Sequence, residues 1–315
     1  MLPLSPLLDA WLSANKAWRA QTPCAEVGLI RGEALGLLKT LPAQSVDLVL
    51  TDPPYFIDSL DEEWNEAKIQ KRRAAAKTVG TLPVGMKFDP EQGKRLQAFL
   101  EPVFIECCRV LKPGGFLVSF SQARLYHRVG MAAENAGFEI RDMLGWVYEG
   151  QAKAFSQEHF VRKMNQLSAK EKAALIDALG GRKTPQLKPM IEPMVFAQKT
   201  KDGTFIQNWM RHGVGLMDTS NRFDDKFPGN LMACKKPNAA EKGVDTDHLT
   251  VKPLKVLDHL VRLLTQEGAV VLDPFAGSAS TLVAAANAHR HAVGCEKSPA
   301  HFKQAVKRLK AQLRP

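Results

Sequence analysis

Between Ala269 and Glu296 the chain spells out a complete packing unit. The apolar run Ala269-Val270-Val271-Leu272 leads into Asp273-Pro274-Phe275-Ala276-Gly277-Ser278-Ala279-Ser280. A helical segment follows, then the run His291-Ala292-Val293-Gly294-Cys295, closed by Glu296. Short apolar runs bounded by turn residues read as buried strands. Two of them joined through a helix form a βαβ unit, which points to a parallel sheet with helices packed on it. An α/β fold is therefore the expectation.

The same segment has the layout of a nucleoside site. A loop of small residues lets backbone approach a ligand, and the next helix turns its N-terminal amides toward a negative group. Glu296 lies about 20 residues past Gly277, where a carboxylate can accept both ribose hydroxyls. The bland reading of Glu296 alone is a surface acid at a strand end. Only Gly277 is a glycine in the tight stretch, so the loop is not a dinucleotide fingerprint, and no Walker lysine follows. A cofactor with adenosine and no phosphates fits better, S-adenosylmethionine being the obvious one. Its amino and carboxylate ends need an acidic and a basic partner, and Asp273 and Lys252 are the candidates.

A second unusual sequence stands far upstream. The apolar run Val46-Asp47-Leu48-Val49-Leu50-Thr51 reads as a buried strand and ends at Asp52-Pro53-Pro54-Tyr55. Two prolines remove two amide donors and stiffen the backbone. The Asp52 side chain and the Pro53 carbonyl are then acceptors in fixed positions, suited to both hydrogens of an exocyclic amine, with Tyr55 as a face for stacking a base. Taken alone, the motif is equally a strand-ending turn in which Asp52 caps an amide.

The chain has 315 residues and is 45% hydrophobic, enough for one large α/β domain or two modest ones. Its net charge of +10 favours a polyanionic partner. The surplus is uneven, with 16 Lys and Arg against 10 Asp and Glu between Gln151 and Asp245. The five cysteines, Cys24, Cys107, Cys108, Cys234 and Cys295, show no C-x-x-C spacing. That disfavours a disulfide framework or a zinc site. No apolar run reaches the roughly 18 residues of a membrane span, and the N-terminus lacks the pattern of a secretion signal. A reducing cytoplasm and no membrane partner are expected.

Along the chain, residues 1–25 read as helical and then loose, with Trp11 and Trp18 as packing anchors. Val27–Ile30 reads as a strand, Ala34–Leu41 and Leu96–Leu111 as helices. Lys112-Pro113-Gly114-Gly115 reads as a helix stop and tight turn before the strand Phe116–Phe120. Tyr126–Ala136 is helical, and Phe138–Tyr148 is expected as one or two edge strands. Residues 56–90 are polar, with a charged stretch from Lys68 to Lys77, and read as a functional loop. Composition shifts near Gly150. Residues 151–245 read as an inserted, mostly irregular unit, with one clear helix between the capping box Ser168–Glu171 and Gly180-Gly181. Pro253 starts a helix reaching about Thr265. The last helix is capped at Ser298, and Phe302, Ala305, Val306, Leu309 and Leu313 line its buried face.

Together these motifs resemble the DNA methyltransferases that modify adenine N6 or cytosine N4, in the group whose catalytic half precedes its cofactor half. Asp52-Pro53-Pro54-Tyr55 matches the catalytic motif, and the stretch from Asp273 to Ser278, including Phe275 and Gly277, matches the cofactor loop. Gly294-Cys295-Glu296 matches the ribose-binding acid. Thr250-Val251-Lys252-Pro253 matches the segment that wraps the methionine part, and Arg109–Phe116 a structural stretch. Glu33 stands where the family usually has an aspartate near the cofactor adenine. The likeness covers residues 26–150 and 186–310. Departures are Ala279 in place of a further glycine and Leu249 in place of a proline.

The resemblance implies a doubly wound, Rossmann-like sheet divided into a catalytic half (1–150), a target-recognition insert (151–245) and a cofactor-binding half (246–315). It implies S-adenosylmethionine as methyl donor, no metal, and double-stranded DNA as partner. The target base would be flipped from the helix, and a location at the nucleoid of a prokaryotic or phage system is expected. A homodimer and a companion restriction endonuclease are compatible with the family and carry no signature here. Asp52 at the head of the motif tilts the target toward adenine N6, with cytosine N4 as the alternative. Less favoured are an RNA or protein-glutamine methyltransferase and an inactive DNA-binding relative. Cys107 and Cys108 read as core, which leaves no cysteine nucleophile for C5 chemistry. Asn165, Gln166, Asn208 and Asn221 are candidate base readers; Lys68, Lys71, Arg72, Arg73 and Lys77 are candidate phosphate contacts.

Overall fold

The computed structural model describes residues 5–55, 91–150, 154–238, 241 and 251–313. The loop at 56–90, with its five candidate phosphate contacts, and Thr250 and Leu249 lie outside the described residues.

Among the described residues, nine strands form one sheet in the order β1-β2-β9-β8-β3-β4-β6-β5-β7. The strands are β1 (Trp18–Gln21), β2 (Glu26–Arg31), β3 (Val46–Thr51), β4 (Leu111–Phe120), β5 (Phe138–Val147), β6 (Ile191–Lys199), β7 (Leu231–Ala233), β8 (Val270–Asp273) and β9 (His291–Glu296). From β2 to β4 every neighbouring pair is parallel. On one side of them β1 pairs antiparallel with β2, and on the other β6 runs antiparallel to both β4 and β5.

The sheet is covered on both faces, as uniformly apolar parallel strands require. Every residue of β3 is buried, and its apolar side chains are shared between two cores. Val46 and Val49 face the helices α1 (Pro6–Ala14), α2 (Ala34–Thr40), α3 (Gln92–Val110) and α4 (Tyr126–Asn135). Leu48 and Leu50 face three helices late in the chain, α8 (Leu254–Leu264), α9 (Ser280–Asn287) and α10 (Pro299–Gln312). The expected doubly wound architecture is the one observed. Trp11 is 7% exposed, and Ala305 and Leu309 on α10 are buried, as the spacing predicts.

Several local expectations change. Trp18 opens β1 rather than loose chain, and it packs partly buried against the core. Lys112–Gly115 lies inside β4 as an irregularity, because Val46 pairs with Leu111 and Leu48 already pairs with Phe116. Gly114 sits there at φ +78°, and a Cβ would collide with the Asn208 amide. β5 is an edge only from Phe138 to Leu144, since β7 adds alongside it from Gly145 to Val147. Residues 191–199, unsignalled by composition, form β6, the strand that joins β4 to β5.

Between β5 and β7 the chain also forms α5 (Glu158–Arg162), α6 (Ala169–Leu179) and α7 (Phe205–His212). The Ser168–Glu171 capping box and left-handed Gly180 bound α6 as expected. No residue of α6 is buried, so this helix stands on the outside of the molecule.

Candidate active site

Parallel β3 and β8 are neighbours at the middle of the sheet, and both motifs sit at their carboxyl ends. This is where open α/β sheets bind ligands. The link is direct, because the Thr51 hydroxyl donates to Asp273 Oδ1 at 2.7 Å. Asp273 also accepts the Phe275 amide at 3.0 Å. Burial pushes its pKa up to about 6, although Thr51, Thr281 and the Phe275 amide oppose the shift.

The loop after β8 is shaped by its backbone. Gly277 has φ +50° and Ala279 has φ +62°, both in the left-handed region, and α9 begins at Ser280. Ala279 therefore occupies a conformation that favours glycine, at the position where the family departure was noted. Glu296, at the end of β9, accepts the Gly277 amide at 3.0 Å and the Ser298 amide at 2.7 Å. Burial raises its pKa despite those amides. The Ser278 side chain is turned away, toward Arg308 of α10, which also donates to the Ser278 carbonyl and the Ser280 hydroxyl. Arg308 is 3% exposed, and burial lowers its pKa to about 10. The Phe275 ring packs at 5.8 Å from Phe99 of α3. Glu33 follows β2, whose Arg31 pairs with Glu296. Its carboxylate caps α2 by accepting the Leu35 and Gly36 amides at 3.1 and 2.8 Å.

At the end of β3, the Tyr55 hydroxyl donates to Asp52 Oδ1. Lys252 Nζ lies 2.5 Å from Asp52 Oδ2 and 2.9 Å from Glu192 Oε1 of β6. The Lys252 side chain is 7% exposed and its ammonium is 5.2 Å from the Phe120 ring centroid. Burial works against the Lys252 charge, but Asp52 and then Glu192 outweigh it, and the ammonium is held above its ordinary pKa. Burial raises Glu192, and the Asp52 charge adds to this while Lys252 opposes it. Tyr55 is partly exposed as a residue, while its hydroxyl is desolvated and its pKa is raised by burial first and Asp52 second. Gln92 at the start of α3 donates to the Tyr55 carbonyl at 3.0 Å. Pro53 and Pro253 are buried beside these groups.

Lys252, paired in sequence reasoning with Asp273, thus meets Asp52 instead. Glu192, Gln92 and Arg308 were not foreseen, since nothing in their local sequence marks them. Asn208 is no base reader: it is fully buried and donates to the Pro113 and Val214 carbonyls at 3.0 and 2.8 Å. Asn221 leans on Asp218 and the Arg262 carbonyl, at the end of α8 remote from Lys252. Asn165 and Gln166 are exposed. Burial pushes the Cys107 thiol well up and the Cys295 thiol up to about 12, so neither is poised as a nucleophile. Among the described residues, no cluster suited to a metal ion and no helix long and apolar enough to cross a membrane are found.

A family model described as DNA methylase, for N6 and N4 amino-methylation, matches residues 46–307. The type II methyltransferase M.HindIII of Haemophilus influenzae is 28% identical over 293 residues, covering 86% of this chain and 91% of that one. Among solved structures, a putative DNA modification methylase of Thermus thermophilus, complexed with S-adenosyl-L-methionine, superposes with a TM-score of 0.53 at 22% identity, covering 90% and 93% of the two chains. PvuII DNA methyltransferase, specific for cytosine N4, superposes with a TM-score of 0.59 at 17% identity, covering 92% and 90%.

Proposed function

Since this chain belongs to the N6/N4 DNA methylase family, we propose that it moves a methyl group from S-adenosylmethionine to the exocyclic amine of a base flipped out of duplex DNA, and that the target is adenine N6. The observation that carries the reading is the contact of Thr51 with Asp273, 2.7 Å, which ties the amine-binding motif to the cofactor loop at the carboxyl ends of two central strands.

The loop suits the cofactor. Left-handed Gly277, the forward amides of α9 and the Glu296 carboxylate beside them fit an adenosine with an amino-acid tail. Asp273 is the partner for the tail's amino group, Glu296 for the ribose, and Glu33 for the adenine. Phe275, Gly277 and Ser278 are the loop residues assigned to it, and the segment with Thr250, Lys252 and Pro253 is assigned to its methionine part. When bound, the cofactor supplies a methyl group activated on a sulfonium.

The protein's own part is acceptance and alignment. An ionised carboxylate offers about four lone-pair sites. Tyr55 and Lys252 take one each on Asp52. The remaining sites and the Pro53 carbonyl are available for the two amine hydrogens, and among the described residues no donor reaches that carbonyl. Accepting both hydrogens draws the nitrogen lone pair out of ring conjugation and aims it at the methyl. The positive charge growing on nitrogen then meets fixed acceptors, which need no reorganisation. Tyr55 stacks on the flipped base, worth about 1–3 kcal/mol, against a flipping cost of a few kcal/mol.

Residues 151–245 outside β6 and β7 serve as the target-recognition region. Its basic excess and the exposed α5–α6 pair, with Arg162, Lys163, Lys170 and Arg182, support phosphate contact. Asp52 heading the motif supports adenine over cytosine. Digestion and mass analysis of DNA from cells expressing the protein tests the reading. N6-methyladenine is the expected product. N4-methylcytosine overturns the choice of base, and unmodified DNA overturns the activity.

A further inference from the structure

β6 runs antiparallel to β4, so it begins where the parallel strands end, with Met194 opposite Phe120. Its opening residues are thereby delivered to the edge that carries Asp52. Glu192 meets Lys252 at 2.9 Å, and Lys252 meets Asp52 at 2.5 Å. Glu192, Lys252, Asp52 and the Tyr55 hydroxyl form one continuous hydrogen-bonded row. Both carboxylates are mostly shielded, at 19% and 21% side-chain exposure. The Lys252–Asp52 pair is neutral without Glu192. A second buried carboxylate costs desolvation and is not needed to balance charge. Methyl transfer to an amine, in turn, leaves a proton without a destination.

We propose that Glu192 is a positioning residue for the methyl transfer, fixing Asp52 through Lys252 and holding the proton that the methylated amine releases. This rests on the methyltransferase reading above. The nitrogen lone pair forms the N–C bond as the C–S bond breaks and its electron pair stays on sulfur. The positive nitrogen gives a proton to Asp52 and keeps the N–H electron pair. Lys252 passes one proton to Glu192 as it takes that proton from Asp52. Asp52 and Lys252 return to their starting charges, Glu192 ends neutral, and its proton leaves to solvent. Burial and the Asp52 charge hold Glu192 above the ordinary carboxylate range, which suits it to keep the proton until solvent takes it. The charged and titratable groups facing Glu192 are Asp52 and Tyr55 after β3, Tyr148 after β5, Lys236 after β7 and Lys252 before α8.

Glu192→Gln keeps the shape and the bond to Lys252 but cannot take the proton. Its kcat should fall about a hundredfold, at the low end of what proton-transfer groups contribute. KM for DNA and cofactor should hold within about twofold, since ground-state binding is untouched. The acid limb of the kcat profile, which reports protonation of Glu192, should vanish from the variant, and Glu192→Asp should restore part of both. A second readout needs no turnover: in 13C NMR of the unliganded protein, Glu192 should titrate above ordinary glutamates, and Asp52→Asn should bring it down. A variant with wild-type kcat and acid limb overturns the proposal, as does a Glu192 that titrates normally and ignores Asp52→Asn. A wild-type protein that methylates no DNA overturns the methyltransferase reading itself, and this inference with it.

Discussion

Asp273→Asn tests the link between folding and the site most directly. Asp273 is 3% exposed and its pKa is raised from 3.8 to about 6. The folded state therefore binds more protons than the unfolded state between those values, and stability falls as pH rises through that window. Each pKa unit is about 1.36 kcal/mol, so the ionised carboxylate costs the fold about 3 kcal/mol above the upper value. Asparagine keeps an oxygen for the Thr51 hydroxyl and the Phe275 amide and has no charge to bury. The gain of the variant over the wild type should grow from about 1–2 kcal/mol at pH 5 to about 3 kcal/mol at pH 8 by the same linkage, less a pH-independent offset for the amide. At about 2.1 cal/mol/K of unfolding entropy per residue and 315 residues, the growth amounts to about 2 °C in Tm. Urea or thermal unfolding of both proteins at pH 5, 6, 7 and 8 measures it. A difference that stays flat, or shrinks as pH rises, refutes the reasoning. The same variant should bind S-adenosylmethionine at least about tenfold more weakly, because a charge-assisted hydrogen bond worth about 1.5–3 kcal/mol is lost.

Asp52→Ala should lower kcat by about 10² to 10⁴-fold while calorimetry finds cofactor affinity little changed; near-wild-type methylation would remove Asp52 from the mechanism. Gly277→Ala places a side chain at φ +50° and should cost roughly 1–2 kcal/mol in unfolding experiments, with weaker cofactor binding; unchanged stability would contradict the left-handed turn. Replacing Arg162, Lys163, Lys170 and Arg182 with serine should flatten the dependence of DNA binding on salt, by about 0.9 in log–log slope for each phosphate contact removed. An unaltered slope would exclude the α5–α6 pair from the DNA surface.

Much of this protein was legible without coordinates. β3 and β8 are short apolar runs, and buried parallel strands admit little else. The capping box before α6 and the glycine after it satisfy their backbone groups locally, so the helix ends could be read from neighbouring residues alone. Both site motifs stood out because their prolines, glycine and acids make little sense as packing. β6 did not stand out. Its buried run opens on Pro193 and is flanked by polar chain, and it is a strand because β4 and β5 hold it on both sides.

The sequence by itself determined that β3 and β8 are buried and that an acid, two prolines and a tyrosine end one of them. Those properties follow from backbone chemistry and local apolar pattern. Only the tertiary structure decided what the acid touches. Lys252 is 200 residues from Asp52 in the chain. Glu192 reaches the same ammonium because its strand runs against its neighbours and starts where they stop. Charge pairing of this kind depends on distance in space, and no local pattern records it.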